Sequence, residues 1–326
     1  MTVLVTGAAG FIGYHVAEAL LARGEEVIGV DNLNDYYDVA LKKARLKRLE
    51  AHTGFRFQEL DIADEGAMVE LARKLRGDTG IIHLAAQAGV RYSLIDPGAY
   101  MRANVSGHLD ILEMCRHLDG LTHLVYASSS SVYGGNVKLP YAEDDPVDHP
   151  VSLYAATKKA DELMSHCYSH LFGIPATGLR FFTVYGPWGR PDMAYYRFTE
   201  AIFNGETIHV FNHGDMRRDF TYIDDVAPAV LAALDRPPEA RGGAVRHRVY
   251  NIGHGRAEPL MRFIAVIEEA VGRKANIQMA PMQPGDVKET YADIAAIRRD
   301  LGFEPKTGIE EGIPLFVRWY RDYHGV

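Results

Sequence analysis

Cysteine is scarce in this sequence of 326 residues, in which Cys115 and Cys167 are the two occurrences. Both fall in segments whose apolar residues recur at helical spacing, which argues against a disulfide scaffold. The scarcity therefore speaks against a small disulfide-stabilised secreted protein and favours a reducing compartment.

Long apolar runs and clustered charge of one sign are also missing. No stretch of about 18 apolar residues predicts a membrane span, and the opening MTVLVTG leads into a strand rather than a signal sequence. The net charge is −8, and acidic and basic residues are mixed along the chain. A mixed, acidic surface is not typical of nucleic-acid binding. We therefore expect a cytoplasmic protein without a membrane or nucleic-acid partner.

Metal-ligand patterns are equally sparse. His166 and His170 are four residues apart, but no third ligand follows at suitable spacing and the H-E-x-x-H motif is absent. No metal site is predicted.

Short β-branched runs alternate with longer helical patterns in the first part of the chain. The predicted strands are residues 2–7, 26–31, 55–61, 80–86, 123–129 and 175–182. Several are nearly continuous apolar runs, which is typical of strands covered on both faces. The alternation predicts an α/β fold, namely a Rossmann-type doubly wound parallel sheet with a smaller C-terminal α/β substrate-binding lobe. We place the dinucleotide-binding domain at 1–182 and the lobe mainly at 183–326, with later strands returning to the first sheet.

A glycine-rich turn, TGAAGFIG, follows the first predicted strand and opens a helix. Gly7 permits the tight turn, Gly10 lets backbone N–H groups approach a pyrophosphate, and Gly13 lets helix and strand pack closely. Asp31 ends the second strand, where its carboxylate can accept the ribose hydroxyls of an adenosine and would repel a 2′-phosphate. The pattern predicts NAD as the cofactor, in preference to NADP.

Further cofactor contacts are expected in these loops and after the third and fourth strands, because ligands of such sheets bind at the carboxyl ends of the strands. The additional predicted cofactor-binding residues are Phe11, Ile12, Asn32, Asp61, Ile62, Leu84, Ala85 and Ala86.

Tyr154 and Lys158 lie four apart in YAATK, on one face of a predicted helix. A tyrosine hydroxyl ionises near pH ~10 and is a poor base at neutral pH, but a nearby ammonium and a positive nicotinamide favour the phenolate. The serine run 128–131 ends the fifth strand, and its hydroxyls can reach the same part of the cleft. The spacing of Tyr154 and Lys158 is a frequent coincidence by itself, and the serine hydroxyls are the partner that makes it informative.

These motifs, with HLAA, SSSSVYG, RDFTYIDD and QPGD, resemble the extended short-chain dehydrogenases/reductases that act on nucleotide sugars. The resemblance covers essentially the whole chain. It implies that Tyr154 is the catalytic base, Lys158 its partner and Ser129 the catalytic hydroxyl. It also implies that Asn104 supports the cofactor end of the site, and that two helices pair in a homodimer.

The serine run separates related activities. Nucleotide-sugar 4,6-dehydratases carry an Asp-Glu pair there and UDP-glucuronate decarboxylases a glutamate, whereas this chain has Ser130 and Ser131. Without a carboxylate the chain keeps transfer at C4 and lacks the base for elimination. The four serines are therefore interpreted as a hydroxyl-lined wall beside the sugar.

The substrate-binding residues are also expected from the resemblance. Arg218 matches an arginine that binds the nucleotide diphosphate, whose oxygens suit a planar guanidinium, and Asp286 matches a residue at the nucleotide ribose. Thr183 and Arg190 in FFTVYGPWGRP would bind a C6 carboxylate, with Arg91 as a further contributor.

Together these segments most resemble the UDP-glucuronate 4-epimerases. The implied reaction is reversible C4 epimerisation of UDP-glucuronate to UDP-galacturonate through a 4-keto sugar, with NAD bound. The alternatives are a UDP-glucose 4-epimerase, then a UDP-glucuronate decarboxylase. A non-catalytic NAD-sensing protein on the same fold is the alternative of another class, although a sensor would need none of Ser129, Tyr154 and Lys158.

Overall fold

A parallel sheet of buried Val- and Ile-rich strands forms the centre of the protein. The computed structural model describes residues 1–240, 245–283 and 286–326. The seven strands of this sheet lie in the order β11-β6-β5-β4-β1-β2-β3. They are β1 (Thr2–Thr6), β2 (Glu26–Asp31), β3 (Phe55–Glu59), β4 (Thr79–His83), β5 (Leu121–Ser129), β6 (Ala176–Phe181) and β11 (His247–Ile252).

Helices cover both faces of the sheet, as near-continuous apolar strands require. Val3 and Val5 of β1 belong to one buried cluster, whereas Leu4 between them belongs to the cluster on the other face. The helices are α1 (Phe11–Ala22), α2 (Val39–Leu49), α3 (Ala67–Ala72), α4 (Pro97–Tyr100), α5 (Gly107–His117), α6 (Leu153–Phe172), α7 (Ala194–Asn204), α8 (Ile223–Leu234), α9 (Leu260–Val271), α10 (Ala295–Leu301) and α11 (Ile309–His324). The prediction of a Rossmann-type doubly wound α/β fold is confirmed.

The predicted strands extend too far at the edge where ligands bind. Strands β1, β3 and β4 end at Thr6, Glu59 and His83, before the predicted ends at residues 7, 61 and 86. The chain leaves the hydrogen-bonded ladder there and turns into loops above the sheet. The order of strands reverses between β1 and β4, which opens a crevice at this edge.

Residues 183–326 build several small sheets and also complete the large one. The small sheets use β7 (Thr183–Tyr185), β8 (Thr207–Val210), β9 (Arg217–Arg218), β10 (Phe220–Tyr222), β12 (Glu258–Pro259), β13 (Asn276–Met279) and β14 (Glu289–Thr290). Strand β11 pairs in parallel with β6, from His247 opposite Ala176 to Ile252 opposite Phe181. In the QPGD motif, residues 284–285 lie outside the described residues.

Candidate active site

A cavity of about 750 Å³ lies above the carboxyl ends of the central strands. It is continuous from the glycine turn after β1 to the loops around β9 and β14. All predicted site residues line it except Asn104: Gly7, Gly10, Phe11, Ile12, Gly13, Asp31, Asn32, Asp61, Ile62, Leu84, Ala85, Ala86, Arg91, Ser129, Ser130, Ser131, Tyr154, Lys158, Thr183, Arg190, Arg218 and Asp286.

The glycine turn packs too closely for side chains. Gly7 has a φ of +71°, and a Cβ there would lie 2.8 Å from the backbone nitrogen of Ala85. A Cβ on Gly13 would lie 2.0 Å from the carbonyl oxygen of Gly7. The turn therefore leaves the amino end of α1 open to the cavity, where free N–H groups suit a pyrophosphate.

Asp31 is fixed at the end of β2 by two backbone amides. The N–H of Ala9 donates to Oδ2 at 3.1 Å and the N–H of Leu33 donates to Oδ1 at 2.9 Å. Burial raises the pKa of Asp31, while Lys42 and these amides act in the opposite direction. The site thus holds a carboxylate where an adenosine ribose would need an acceptor, and the residues present fit NAD.

Tyr154 and Lys158 lie in the first two turns of α6, which Ser152 caps by accepting a hydrogen bond from the N–H of Ala155 at 3.1 Å. The Nζ of Lys158 donates to the carbonyl oxygen of Ala127 and to Asp161 Oδ2, both at 3.0 Å. The ammonium is thereby held beside the end of β5, on the helix face that carries Tyr154.

The serine run forms one wall of this region. The Oγ of Ser129 accepts a hydrogen bond from the N–H of Ser131 at 3.1 Å, which starts a helical turn at Ser130. Ser128 and Ser129 are buried, and Ser130 and Ser131 are half-buried. Side chains 129–131 therefore place three hydroxyls on the cavity that contains Tyr154.

A buried ion pair beneath the wall was missed in the sequence. Glu162 Oε1 lies 2.8 Å from Arg180 Nε, and Glu162 Oε2 lies 2.9 Å from Arg180 Nη2. The Oγ of Ser128 donates to Glu162 at 2.7 Å, and Arg180 also donates to the hydroxyl of Tyr133 at 2.9 Å. Arg180 lies within an apolar run that predicts a strand, so the sequence offered no signal beyond an isolated charge in that run.

Asn104 lies behind the cavity wall. Its side chain accepts a hydrogen bond from the N–H of Gln87 at 2.8 Å, and its Nδ2 donates to the carbonyl oxygen of Gln87 and to Thr157 Oγ1 at 3.0 Å each. Asn104 thus ties the loop after β4 to α6. Its support of the cofactor end stays a prediction.

Arg91, Asp286 and Arg218 meet at the other end of the cavity. The Nη2 of Arg91 lies 2.9 Å from Asp286 Oδ2, and its guanidinium lies 4.7 Å from the ring centroid of Phe211. Arg218 donates to two backbone carbonyls at 2.8 and 3.1 Å. Two guanidinium groups and a carboxylate thus lie at one end of the cleft.

Arg190 has a partner that the sequence interpretation did not include. Its Nε donates to Asp192 Oδ1 at 3.0 Å, and its Nη2 donates to Asp192 Oδ2 at 2.5 Å. The hydroxyl of Tyr36 donates to the same Oδ2 at 3.4 Å. Thr183, at the start of β7, lines the same cavity. The spacing R-x-D was visible in the sequence, but a pair in this spacing is common on loops.

In 1–240, 245–283 and 286–326, no helix is long and apolar enough to cross a membrane. Over the same ranges, His, Cys, Asp and Glu side chains form no group of three or more suited to a metal ion.

The chain is similar to known proteins in sequence. The family described as NAD dependent epimerase/dehydratase matches residues 3–253. A UDP-glucuronate 4-epimerase of Arabidopsis thaliana is 48% identical, over 99% of this chain and 76% of that protein. A probable UDP-glucuronate 4-epimerase of Rhizobium meliloti (strain 1021) is 46% identical, over 98% of this chain and 97% of that protein.

A solved structure is similar over the whole fold. The UDP-glucuronic acid 4-epimerase of Bacillus cereus, in complex with UDP-glucuronic acid and NAD, superposes with a TM-score of 0.91 at 33% identity. The match covers 99% of this chain and 100% of that one. By sequence and by fold, this chain belongs to the NAD dependent epimerase/dehydratase family.

Proposed function

We propose that this protein is an NAD-dependent UDP-glucuronate 4-epimerase, which interconverts UDP-glucuronate and UDP-galacturonate. One observation carries the proposal: Tyr154 and Lys158 share a single cavity with a wall of serine hydroxyls, Thr183 and Arg190. That cavity combines the groups for reversible oxidation at C4 with neutral and cationic donors for a C6 carboxylate. The relatives named for this activity support the same conclusion.

The residues act on the C4 hydroxyl in a fixed order. Tyr154 accepts the hydroxyl proton, and Ser129 donates a hydrogen bond to the C4 oxygen as the carbonyl forms. Lys158, on the same helix face and held by Ala127 and Asp161, places its ammonium group beside the part of the cavity that Tyr154 lines. When bound, NAD supplies a hydride acceptor at C4 that can return the hydride. The 4-keto sugar turns within the pocket, and Tyr154 returns the proton once the other face of C4 is presented.

The remaining predicted residues hold the two ligands. The glycine turn and Asp31 suit the pyrophosphate and adenosine ribose of NAD, and Asp61, Ile62 and residues 84–86 line the same cavity. Arg218 and Asp286 suit the diphosphate and ribose of the substrate nucleotide, and Arg91 lies beside them. Binding of a nucleotide here would have to displace or share the Arg91–Asp286 ion pair.

The serine wall argues for epimerisation rather than decarboxylation. The intermediate is a β-keto acid, which loses CO₂ when its carboxyl bond aligns with the carbonyl π system. Ser130, Ser131 and Thr183 offer hydroxyls that can hold the carboxylate out of that alignment. Residues 129–131 are serines, so the glutamate that decarboxylases carry at this place is missing.

A UDP-glucose 4-epimerase is the second candidate, and the Arg190–Asp192 pair favours it. Because its guanidinium already has a carboxylate partner, Arg190 does not present a full unpaired charge that demands an anionic sugar. The two candidates share the C4 chemistry and differ in what lies at C6.

We further propose a cytoplasmic homodimer. Helix α6 leaves Leu163, Leu171 and Phe172 exposed, and α5 leaves Leu109 exposed, so these helices offer apolar surface to a second copy. The two cysteines are unpaired, which suits a reducing compartment. Sedimentation equilibrium should give twice the chain mass, and a monomer at micromolar concentration would contradict the dimer.

The activity is tested by incubating the purified protein with UDP-glucuronate, without added NAD, and identifying products by NMR. UDP-galacturonate supports the proposal. UDP-xylose or a 4-keto pentose would mean decarboxylation, and conversion of UDP-glucose with no conversion of UDP-glucuronate would select the second candidate.

Carboxylate recognition is tested with Arg190→Ala and Thr183→Val. A charge-assisted hydrogen bond contributes roughly 1.5–3 kcal/mol, so Arg190→Ala should lower kcat/KM for UDP-glucuronate about ten- to a hundredfold. Thr183→Val keeps the shape and deletes the hydroxyl, and should have a smaller effect in the same direction. UDP-glucose should be little affected; equal losses for both sugars would place carboxylate recognition elsewhere.

A further inference from the structure

Recognition of a substrate carboxylate does not explain why Arg190 is paired with Asp192. Asp192 occupies the Nε edge of the guanidinium with both of its oxygens. An arginine that only had to bind an anionic sugar would do so more strongly without this partner. Tyr36, from a different loop, also donates to this carboxylate over a long distance of 3.4 Å.

Asp192 lines the substrate cavity itself and is not a remote support. Its side chain is 26% exposed and that of Arg190 is 22% exposed, and both border the space that Tyr154 borders. Although burial opposes it, Arg190 holds the pKa of Asp192 below its usual range. The cavity lining therefore contains an ion pair in which Asp192 accepts hydrogen bonds from Nε and Nη2 of Arg190.

The proposed reaction requires the C6 carboxylate to move relative to Arg190 and Asp192. The nucleotide stays anchored while the sugar presents both faces of C4, so the C6 carboxylate has to move with the ring in each turnover. An unpaired guanidinium would hold that carboxylate by two parallel hydrogen bonds. Such binding stabilises the bound sugar in one orientation without helping the transition state, and thereby slows the turn.

We propose that Asp192 is a positioning residue that weakens the hold of Arg190 on the substrate carboxylate, so that a uronate ring is recognised and can still turn. It acts by occupying one edge of the guanidinium and by placing a negative charge near the incoming one. The inference rests on the proposed function. It explains how one site can recognise the substrate carboxylate and still release it when the ring turns.

The test compares the binding and turnover of a charged and a neutral sugar. Binding of UDP-glucuronate and UDP-glucose is measured by calorimetry in the NAD-loaded Tyr154→Phe background, where the ligand is not converted. Adding Asp192→Asn should tighten UDP-glucuronate binding by about tenfold and leave UDP-glucose within about twofold. In the active enzyme, Asp192→Asn should lower both KM and kcat for UDP-glucuronate, because the ring turns more slowly.

Matched variants separate charge from structure. Tyr36→Phe removes the hydroxyl that donates to Asp192 and keeps the ion pair, so it should leave the preference between the sugars unchanged. Asp192→Glu keeps the charge and should stay closer to the wild type than Asp192→Asn. Asp192→Ser removes the charge with a smaller side chain and should repeat the tightening if Asp192→Asn does not fold.

The outcomes are distinct. Unchanged or weaker UDP-glucuronate binding in Asp192→Asn or Asp192→Ser, or parallel changes for both sugars, would overturn the inference, as would tightening in Tyr36→Phe. If the wild type does not interconvert UDP-glucuronate and UDP-galacturonate, the proposed function fails, whatever the binding measurements show.

Discussion

The buried pair of Arg180 and Glu162 beneath the serine wall allows a sharp stability prediction. Each side chain is 4% exposed, and they share two hydrogen bonds of 2.8 and 2.9 Å. Although burial opposes it, Arg180 holds the pKa of Glu162 below its usual range, so both groups are charged at neutral pH. Removal of one partner leaves the other as an uncompensated buried charge, which costs roughly 3–5 kcal/mol.

We therefore expect Arg180→Met and Glu162→Gln each to lower the free energy of unfolding by roughly 3–5 kcal/mol. The double variant Arg180→Met/Glu162→Leu should be more stable than the Arg180→Met variant, because it leaves no buried charge. Its residual losses are hydrogen bonds: the Ser128 hydroxyl loses its acceptor, and the Tyr133 hydroxyl and the Glu143 carbonyl lose a donor, each worth about 1 kcal/mol. The pair would then serve to fix the end of β5 rather than to stabilise the fold.

The measurement is urea unfolding, followed both by circular dichroism and by tryptophan fluorescence, since coincident transitions justify comparing free energies. The surface pair Arg56–Glu26 provides a control: its side chains are 68% and 61% exposed, and Arg56→Met should cost less than about 1 kcal/mol. If the free energy of unfolding falls in the double variant by the sum of the decreases in the two single variants, the reasoning is refuted and the pair is a net source of stability.

Three further predictions concern catalysis, cofactor binding and acid stability. Tyr154→Phe should reduce kcat by roughly 10²–10⁴, the range for loss of an acid–base group, with NAD affinity within a few-fold; near-normal turnover would remove Tyr154 from the mechanism. Gly13→Ala should abolish NAD binding in a fluorescence titration, because its Cβ would lie 2.0 Å from a carbonyl oxygen of the turn; wild-type affinity would contradict this packing. Burial lowers the pKa of His83 to about 3 and of His123 to about 4. Between these pH values and about pH 6.5, the two histidines are protonated in the unfolded chain and neutral in the folded protein. Stability should therefore fall from pH 7 to pH 5, by roughly 2 kcal/mol for each histidine, and less so in His123→Asn; an equal urea midpoint at both pH values would count against it.

The fold and most of the cavity lining could be predicted from the sequence because both depend on local patterns. Alternating strands and helices determine a parallel sheet, and the loops after its strands must meet at one edge. Gly13 and Asp31 were therefore placed correctly on the cavity, although the strand ends were predicted too late. Tyr154 and Lys158 needed only the geometry of one helix.

The partners of the charged residues could not be predicted, because they depend on packing between distant segments. Arg91 meets Asp286 across 195 positions of sequence, and no local pattern connects them. Asp192 is close to Arg190 in sequence, yet its bidentate contact depends on the conformation of the loop between β7 and α7.

Strand β11 has a consequence for recombination between relatives. It comes from residues 247–252 and completes the sheet beside β6, so a chain cut after residue 182 would end with β6 as an open edge, which favours aggregation. A single crossover after residue 182 would also give each chimera six strands of the large sheet from one parent and β11 from the other. Chimeras that exchange sugar specificity should therefore use two junctions, one on each side of β11, so that every sheet keeps the strand with which it evolved.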